Sequence, residues 1–166
     1  QDLQLIDLTR DGKLDILLRG GQQQVVSVDP TTGQKEYRTG GLLLIAAGEQ
    51  TRQWLPPTSI NVPPASAIEI ADFNEDGLPD LVVADASQTK AQSVSLLLGD
   101  ADHVFSKDTV TTLPIAQIGC LASADMDGDG HLDLIAGADR SEMTYQSPSK
   151  IFFGDGHGGF ESAAFD

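Results

Sequence analysis

Asp125-Met126-Asp127-Gly128-Asp129-Gly130-His131-Leu132-Asp133 runs directly into Leu134-Ile135-Ala136-Gly137, and the join between the two decides the fold. The aspartates stand at places one, three, five and nine of a tight loop. Gly130 at place six permits the sharp turn that brings alternate carboxylates toward one centre. The apolar run that follows is too short and too apolar for an amphipathic helix, so it reads as a strand. Leu121 to Ala124, just before the loop, reads the same way.

The pattern occurs twice more without gaps, as Asp7-Leu8-Thr9-Arg10-Asp11-Gly12-Lys13-Leu14-Asp15 and Asp72-Phe73-Asn74-Glu75-Asp76-Gly77-Leu78-Pro79-Asp80. At places one, three, five and nine the loops carry three, three and four aspartates, ten of the chain's 25 acidic residues. A first strand precedes each loop (Leu3 to Leu8, Ala67 to Ala71). A second follows it, at Leu14 to Leu18, Asp80 to Ala84 and Leu132 to Ala136. Third strands read at Leu42 to Ile45, Val94 to Leu98 and Ile151 to Phe153. Weaker fourth strands read at Gln53 to Leu55, Val104 to Leu113 and from Phe160 onward. No segment has helical periodicity.

The fold class expected is all-β, with about three four-stranded antiparallel repeats. Their spans are residues 1–65, with an insertion at about 20–41, then 66–118, then 119–166 with an incomplete last strand. Pro56-Pro57 and Pro63-Pro64 mark the first boundary, because paired prolines supply no ladder donors.

A hard divalent cation takes six to eight oxygens. Places one, three, five and nine offer side-chain oxygen, and place seven offers a backbone carbonyl. The candidate ligands are therefore Asp125, Asp127, Asp129, His131 and Asp133 in the third loop, and Asp72, Asn74, Asp76, Leu78 and Asp80 in the second. In the first they are Asp7, Thr9, Asp11, Lys13 and Asp15. All-oxygen ligation in a flexible loop favours calcium over zinc, copper or magnesium. The loop is not the helical calcium loop, since its twelfth places are Leu18, Val83 and Ala136 rather than glutamate. Arg10 and Lys13 weaken the field of the first loop, so affinity is expected to fall from third to second to first. The bland alternative is that these aspartates only cap their own turn amides.

These features resemble the FG-GAP/VCBS repeat family, the calcium-loop blades of integrin-alpha-like β-propellers and of many bacterial secreted proteins. The resemblance is carried by the three loops, by Asp80-Leu81-Val82-Val83-Ala84-Asp85 and by Phe153-Gly154-Asp155-Gly156-His157-Gly158-Gly159-Phe160. Leu98-Gly99-Asp100-Ala101-Asp102-His103-Val104-Phe105 is a weaker copy of the last, and Ala47 to Trp54 a decayed one. The resemblance implies a β-propeller module acting as a non-catalytic protein- or glycan-binding platform. The alternative it leaves open is a non-catalytic segment of a larger secreted enzyme, toxin or extracellular assembly. Closed propellers have about four to eight blades. Three repeats therefore imply further blades, from the same chain or from a partner chain.

The 166 residues carry Lys+Arg 10 against Asp+Glu 25, a formal net charge of -15 and a pI near 4.2. That balance argues against nucleic acid, whose phosphates call for surplus Lys and Arg. No apolar segment is long enough for membrane insertion. Three bound calcium ions would reduce the net charge to −9. The one cysteine, Cys120, is expected to be a small buried apolar residue. His103, His131 and His157 read as solvated turn residues, with only the backbone oxygen of His131 in use, and Trp54 reads as blade packing. No nucleophile elbow, phosphate loop or zinc spacing is present. The expectation is a non-enzyme, extracellular or periplasmic, where calcium is abundant.

Overall fold

The structure, a computed structural model, describes residues 3–8, 10–19, 23–28, 35–39, 42–45, 55, 58–60, 62, 65–85, 93–100, 105–113, 115, 118–138 and 149–164. Every regular element among them is a strand, so none of the described residues belongs to a helix that could cross a membrane. The chain divides into two units, Gln1–Pro64 and Ala65–Asp166.

In the first unit the strands are Leu3–Ile6 (β1), Asp15–Arg19 (β2), Gln23–Val28 (β3), Lys35–Thr39 (β4), Leu42–Ile45 (β5) and Thr58–Ile60 (β6). A four-stranded antiparallel sheet has the order β1-β2-β5-β6, and β3-β4 forms a separate hairpin between its second and third strands. The expected insertion is therefore itself structured. Asp29-Pro30-Thr31-Thr32-Gly33 stands between its two strands, a run of turn-forming residues. The strand that pairs as the fourth of this sheet is Thr58–Ile60. Pro56 and Pro57 have no N–H to give a ladder, so pairing begins after them. Leu55 is outside any strand, and Gln53 and Trp54 lie outside the described residues.

In the second unit the strands are Ala65–Ala71 (β7), Asp80–Asp85 (β8), Val94–Gly99 (β9), Phe105–Leu113 (β10), Ile118–Ala124 (β11), Asp133–Ala138 (β12), Lys150–Gly154 (β13) and Phe160–Ala164 (β14). They make two four-stranded antiparallel meanders, β7-β8-β9-β10 and β11-β12-β13-β14, each with the layout of a propeller blade. β14 pairs with β13 from Phe160 to Ala164.

One register recurs in all three sheets. Ile6 pairs with Asp15, Ala71 with Asp80 and Ala124 with Asp133, so the residue before each loop closes it against place nine.

The core of the second unit lies between its two sheets. Val82 and Ala84 of β8 and Leu134 and Ala136 of β12 are alternate, fully buried residues, joined by Phe73, Leu96 and Phe152. Full burial of each large side chain stabilises by about 1.5–3 kcal/mol. The rings of Phe73 and Phe160 meet edge to face, with centroids 5.8 Å apart. Ser123 Oγ donates to Glu69 Oε1 at 2.7 Å, joining β11 to β7. Cys120, expected inside, is exposed. A bulge between Ile118 and Cys120 sets the alternation of β11 so that Leu121 meets the core while Cys120 and Ala122 face outward.

Candidate metal centre

Each loop folds on its own carboxylates. The amide of place six donates to the aspartate of place one: Gly12 to Asp7 at 2.9 Å, Gly77 to Asp72 at 2.9 Å and Gly130 to Asp125 at 3.1 Å. The amide of place seven donates to place five: Lys13 to Asp11, Leu78 to Asp76 and His131 to Asp129, all within 2.9 Å. In the second and third loops the amide of place five donates to place three, Asp76 to Asn74 and Asp129 to Asp127. Thr9, at place three of the first, lies outside the described residues. These are Asx turns, and the alternate spacing follows from their two-residue reach.

The turn also demands left-handed backbone at places four and six. Glycine supplies it at place six, with φ of 81° at Gly12, 82° at Gly77 and 96° at Gly130. At place four Gly128 takes φ 81°, but Arg10 and Glu75 take 57° and 58° at a steric cost that glycine avoids.

Place nine is of a different kind. Asp15, Asp80 and Asp133 are 0% exposed. One oxygen of each accepts the amide of place two, from Leu8 at 3.0 Å, Phe73 at 2.8 Å and Met126 at 2.7 Å. The other oxygen of Asp80 accepts from Gly99 at 2.9 Å, and that of Asp133 from Gly154 at 3.0 Å. Asp80 and Asp133 thus tie their loops to the third strands of their sheets. Side chains are excluded at the two glycines, since a Cβ there would strike the carbonyl oxygen of Pro79 or Leu132. This is the physical content of the aromatic-Gly pattern at 153–154.

In the third loop, oxygens of Asp125, Asp127 and Asp133 lie within 4.8 Å of one another, a spacing one cation bridges. Asp129 stands outside that trio and caps the His131 amide. In the second loop Asp72 Oδ1 is buried and accepts no hydrogen bond. A buried carboxylate oxygen without a donor is costly, and a bound cation would satisfy it. Burial raises the pKa of Asp80 above the usual 3.8, and the carboxylates of Asp76 and Asp72 add to the rise against its two amide donors. The residues of these two loops fit a hard divalent ion.

The first loop differs. Lys13 Nζ stands 2.9 Å from Asp11 Oδ2, and its hydrogen bond lowers the Asp11 pKa. An ammonium group already occupies a carboxylate oxygen that an ion would need.

Two further residues join the site through the tertiary structure. His131 Nδ1 lies 2.6 Å from Glu75 Oε1, which raises the histidine pKa. A carboxylate only accepts, so Nδ1 carries the proton. The ring of His131 is thus engaged, contrary to the solvated role expected of it. Glu75 sits at place four, where the aligned third loop has glycine, and that is the signal in the sequence for its special backbone.

A family model described as an FG-GAP-like repeat matches residues 72–136, from the first aspartate of the second loop into β12. Phosphatidylinositol-glycan-specific phospholipase D of Rattus norvegicus is 36% identical over 80 residues. That match covers 42% of this chain and only 10% of the relative's length.

Proposed function

We propose that this chain, which carries an FG-GAP-like repeat at residues 72–136, is a calcium-stabilised, non-catalytic binding module. The observation that carries the reading is the third loop, where Asp125, Asp127 and Asp133 converge on a point one cation fills. The unpartnered Asp72 Oδ1 supports a second ion in the loop of residues 72–80. Bound calcium would neutralise the clustered carboxylates and fix the loops. Its ligands would be the side-chain oxygens of places one, three, five and nine and the carbonyl of place seven. The other residues described in the loops cap turns and pack sheets, which supports a platform for a protein or carbohydrate ligand rather than an active site. Loops of this kind suit calcium-rich compartments, where extracellular modules bind at about 10⁻⁴ to 10⁻³ M. An extracellular or periplasmic location follows from that requirement.

A further repeat blade, from the same chain or a partner, is the occupant proposed for the outer face of the β11–β14 sheet. Phe73, at place two of the second loop, is 2% exposed, whereas Met126, at the same place of the third, is 53% exposed. The equivalent position is thus covered on one sheet and open on the next. Sedimentation across a concentration series tests whether a second copy covers that face. A calcium-stable monomer whose stability and mass are indifferent to Met126→Asp opposes a blade there.

The alternative function, a non-catalytic segment of a larger enzyme, draws on one observation: the aligned relative is named as a phospholipase, and the shared stretch is a small part of it. Both readings require calcium, and thermal unfolding with calcium and with chelator tests that requirement. At about 10 mM calcium each filled site adds about 1.4–2.7 kcal/mol, or about 3–10 °C in Tm. Identical melting in calcium and chelator overturns the calcium reading.

A further inference from the structure

The second and third ion loops belong to different sheets, yet one hydrogen bond joins them. His131 Nδ1 donates to Glu75 Oε1 at 2.6 Å across 56 residues of sequence. Both ends are set among candidate ligands. Glu75 lies between Asn74 and Asp76, and His131 is itself place seven of the third loop.

The backbone around the bond is specialised for it. Glu75 accepts a φ of 58° that a glycine would take more cheaply. Gly156, in the turn between β13 and β14, has φ 68°, and a Cβ there would stand 2.5 Å from His131 Nδ1 and 3.0 Å from Glu75 Oε1. Gly158 of the same turn borders Asn74 Cβ. The third sheet's glycine turn therefore closes over the bond and against the second loop.

We propose that Glu75 couples the two loops, so that a divalent cation filling one raises the affinity of the other. The inference rests on the calcium reading above. An ion in either loop fixes the backbone that carries one partner of the bond. The partner loop then has less freedom left to lose when its own ion binds, which is positive cooperativity without a large movement. Glu75 is a positioning residue and not a ligand.

Amide NMR during calcium titration of the whole chain tests this, with Gly77 reporting the second loop and Gly130 the third. Disabling the third loop with Asp127→Ala, a member of its converging trio, is expected to raise the calcium midpoint at Gly77 by about fivefold or more, the lower end of usual coupling between sites. In a Glu75→Ala background the same change should leave the Gly77 midpoint where it is. Glu75→Gln keeps an acceptor and removes the charge, so it should retain the coupling, which a mere effect of negative field would not. A Gly77 midpoint indifferent to Asp127→Ala in the otherwise native chain overturns the coupling while leaving the calcium sites standing. If neither amide responds to calcium, the calcium reading fails and the coupling with it. Should Asp127→Ala fail to fold, the native chain and Glu75→Ala suffice: the gap between the Gly77 and Gly130 midpoints must widen in the variant, and a gap unchanged by it refutes the inference.

Discussion

The amide of Gly154 donates to Asp133 Oδ1 at 3.0 Å, while Oδ2 of the same buried carboxylate accepts the amide of Met126 at 2.7 Å. One side chain thus joins the loop, the start of β12 and the end of β13. Asp80 repeats the arrangement with Gly99 and Phe73. Asp80 and Asp133 thus hold loop and strand together through backbone amides alone.

Asp133→Ala should therefore destabilise the chain by about 2 kcal/mol or more in chelator, because two amides lose their acceptor. Asp127→Asn should leave stability in chelator nearly unchanged and lower calcium affinity. Denaturant melts with and without calcium separate the two. Equal behaviour of the variants in chelator would contradict the division of roles.

Gly154→Ala is expected to cost about 1–3 kcal/mol or more, since its Cβ meets the Leu132 carbonyl oxygen and backbone has to move. Alanine at the exposed His157 gives the comparison for a change in the same turn. A melt of Gly154→Ala within about 0.5 kcal/mol of the parent counts against the close approach.

Phe73→Ala removes a buried ring that packs edge to face on Phe160. The expected loss is about 3–5 kcal/mol. Hydrogen exchange should show β7 to β14 loosening together, because the ring lies in the core shared by both sheets of the second unit. Loosening of one sheet alone would argue against a shared core.

Calcium affinity should fall from the third loop to the second to the first. Lys13→Ala frees Asp11 Oδ2 and should strengthen the first loop without altering the third. Site-resolved titration at Gly12 and Gly130 reads both effects, and a first loop weakened by the change would contradict the competition.

Acid stability carries a separate signature. The amides of His157 and Gly159 hold the Asp155 pKa below 3.8. A depressed folded pKa gives stability that is present above the unfolded value and lost as pH falls through the folded one. Against Asp155→Asn, which keeps an acceptor but no titrating charge, the parent's advantage in chelator should shrink below about pH 4. An advantage independent of pH would show that the carboxylate charge plays no part in that turn.

Much of this was legible in the sequence because the forces are local. An Asx turn joins an aspartate to the amide two residues on, so the bonds of Asp76 with Leu78 and of Asp129 with His131 are set within the loop itself. The strand after each loop was equally plain, since Asp80-Leu81-Val82-Val83-Ala84 is apolar and β-prone throughout. Less legible was β6 at Thr58–Ile60, a three-residue strand with no apolar run to mark it. The β3-β4 hairpin was passed over as an insertion, although Asp29 to Gly33 carried a turn signal.

By itself the sequence determined the three strand-loop-strand units and the turns inside their loops, because hydrogen bonds two to five residues long set those turns. Only the tertiary structure decided what each repeated position does. Phe73 and Met126 occupy the same place in their loops, yet one is buried and the other exposed. Cys120 faces outward while Leu121 meets the core. Glu75 reaches His131 across 56 residues. In each case the outcome depends on which neighbouring sheet covers a given face, and a repeat pattern, being the same in every copy, does not contain that information.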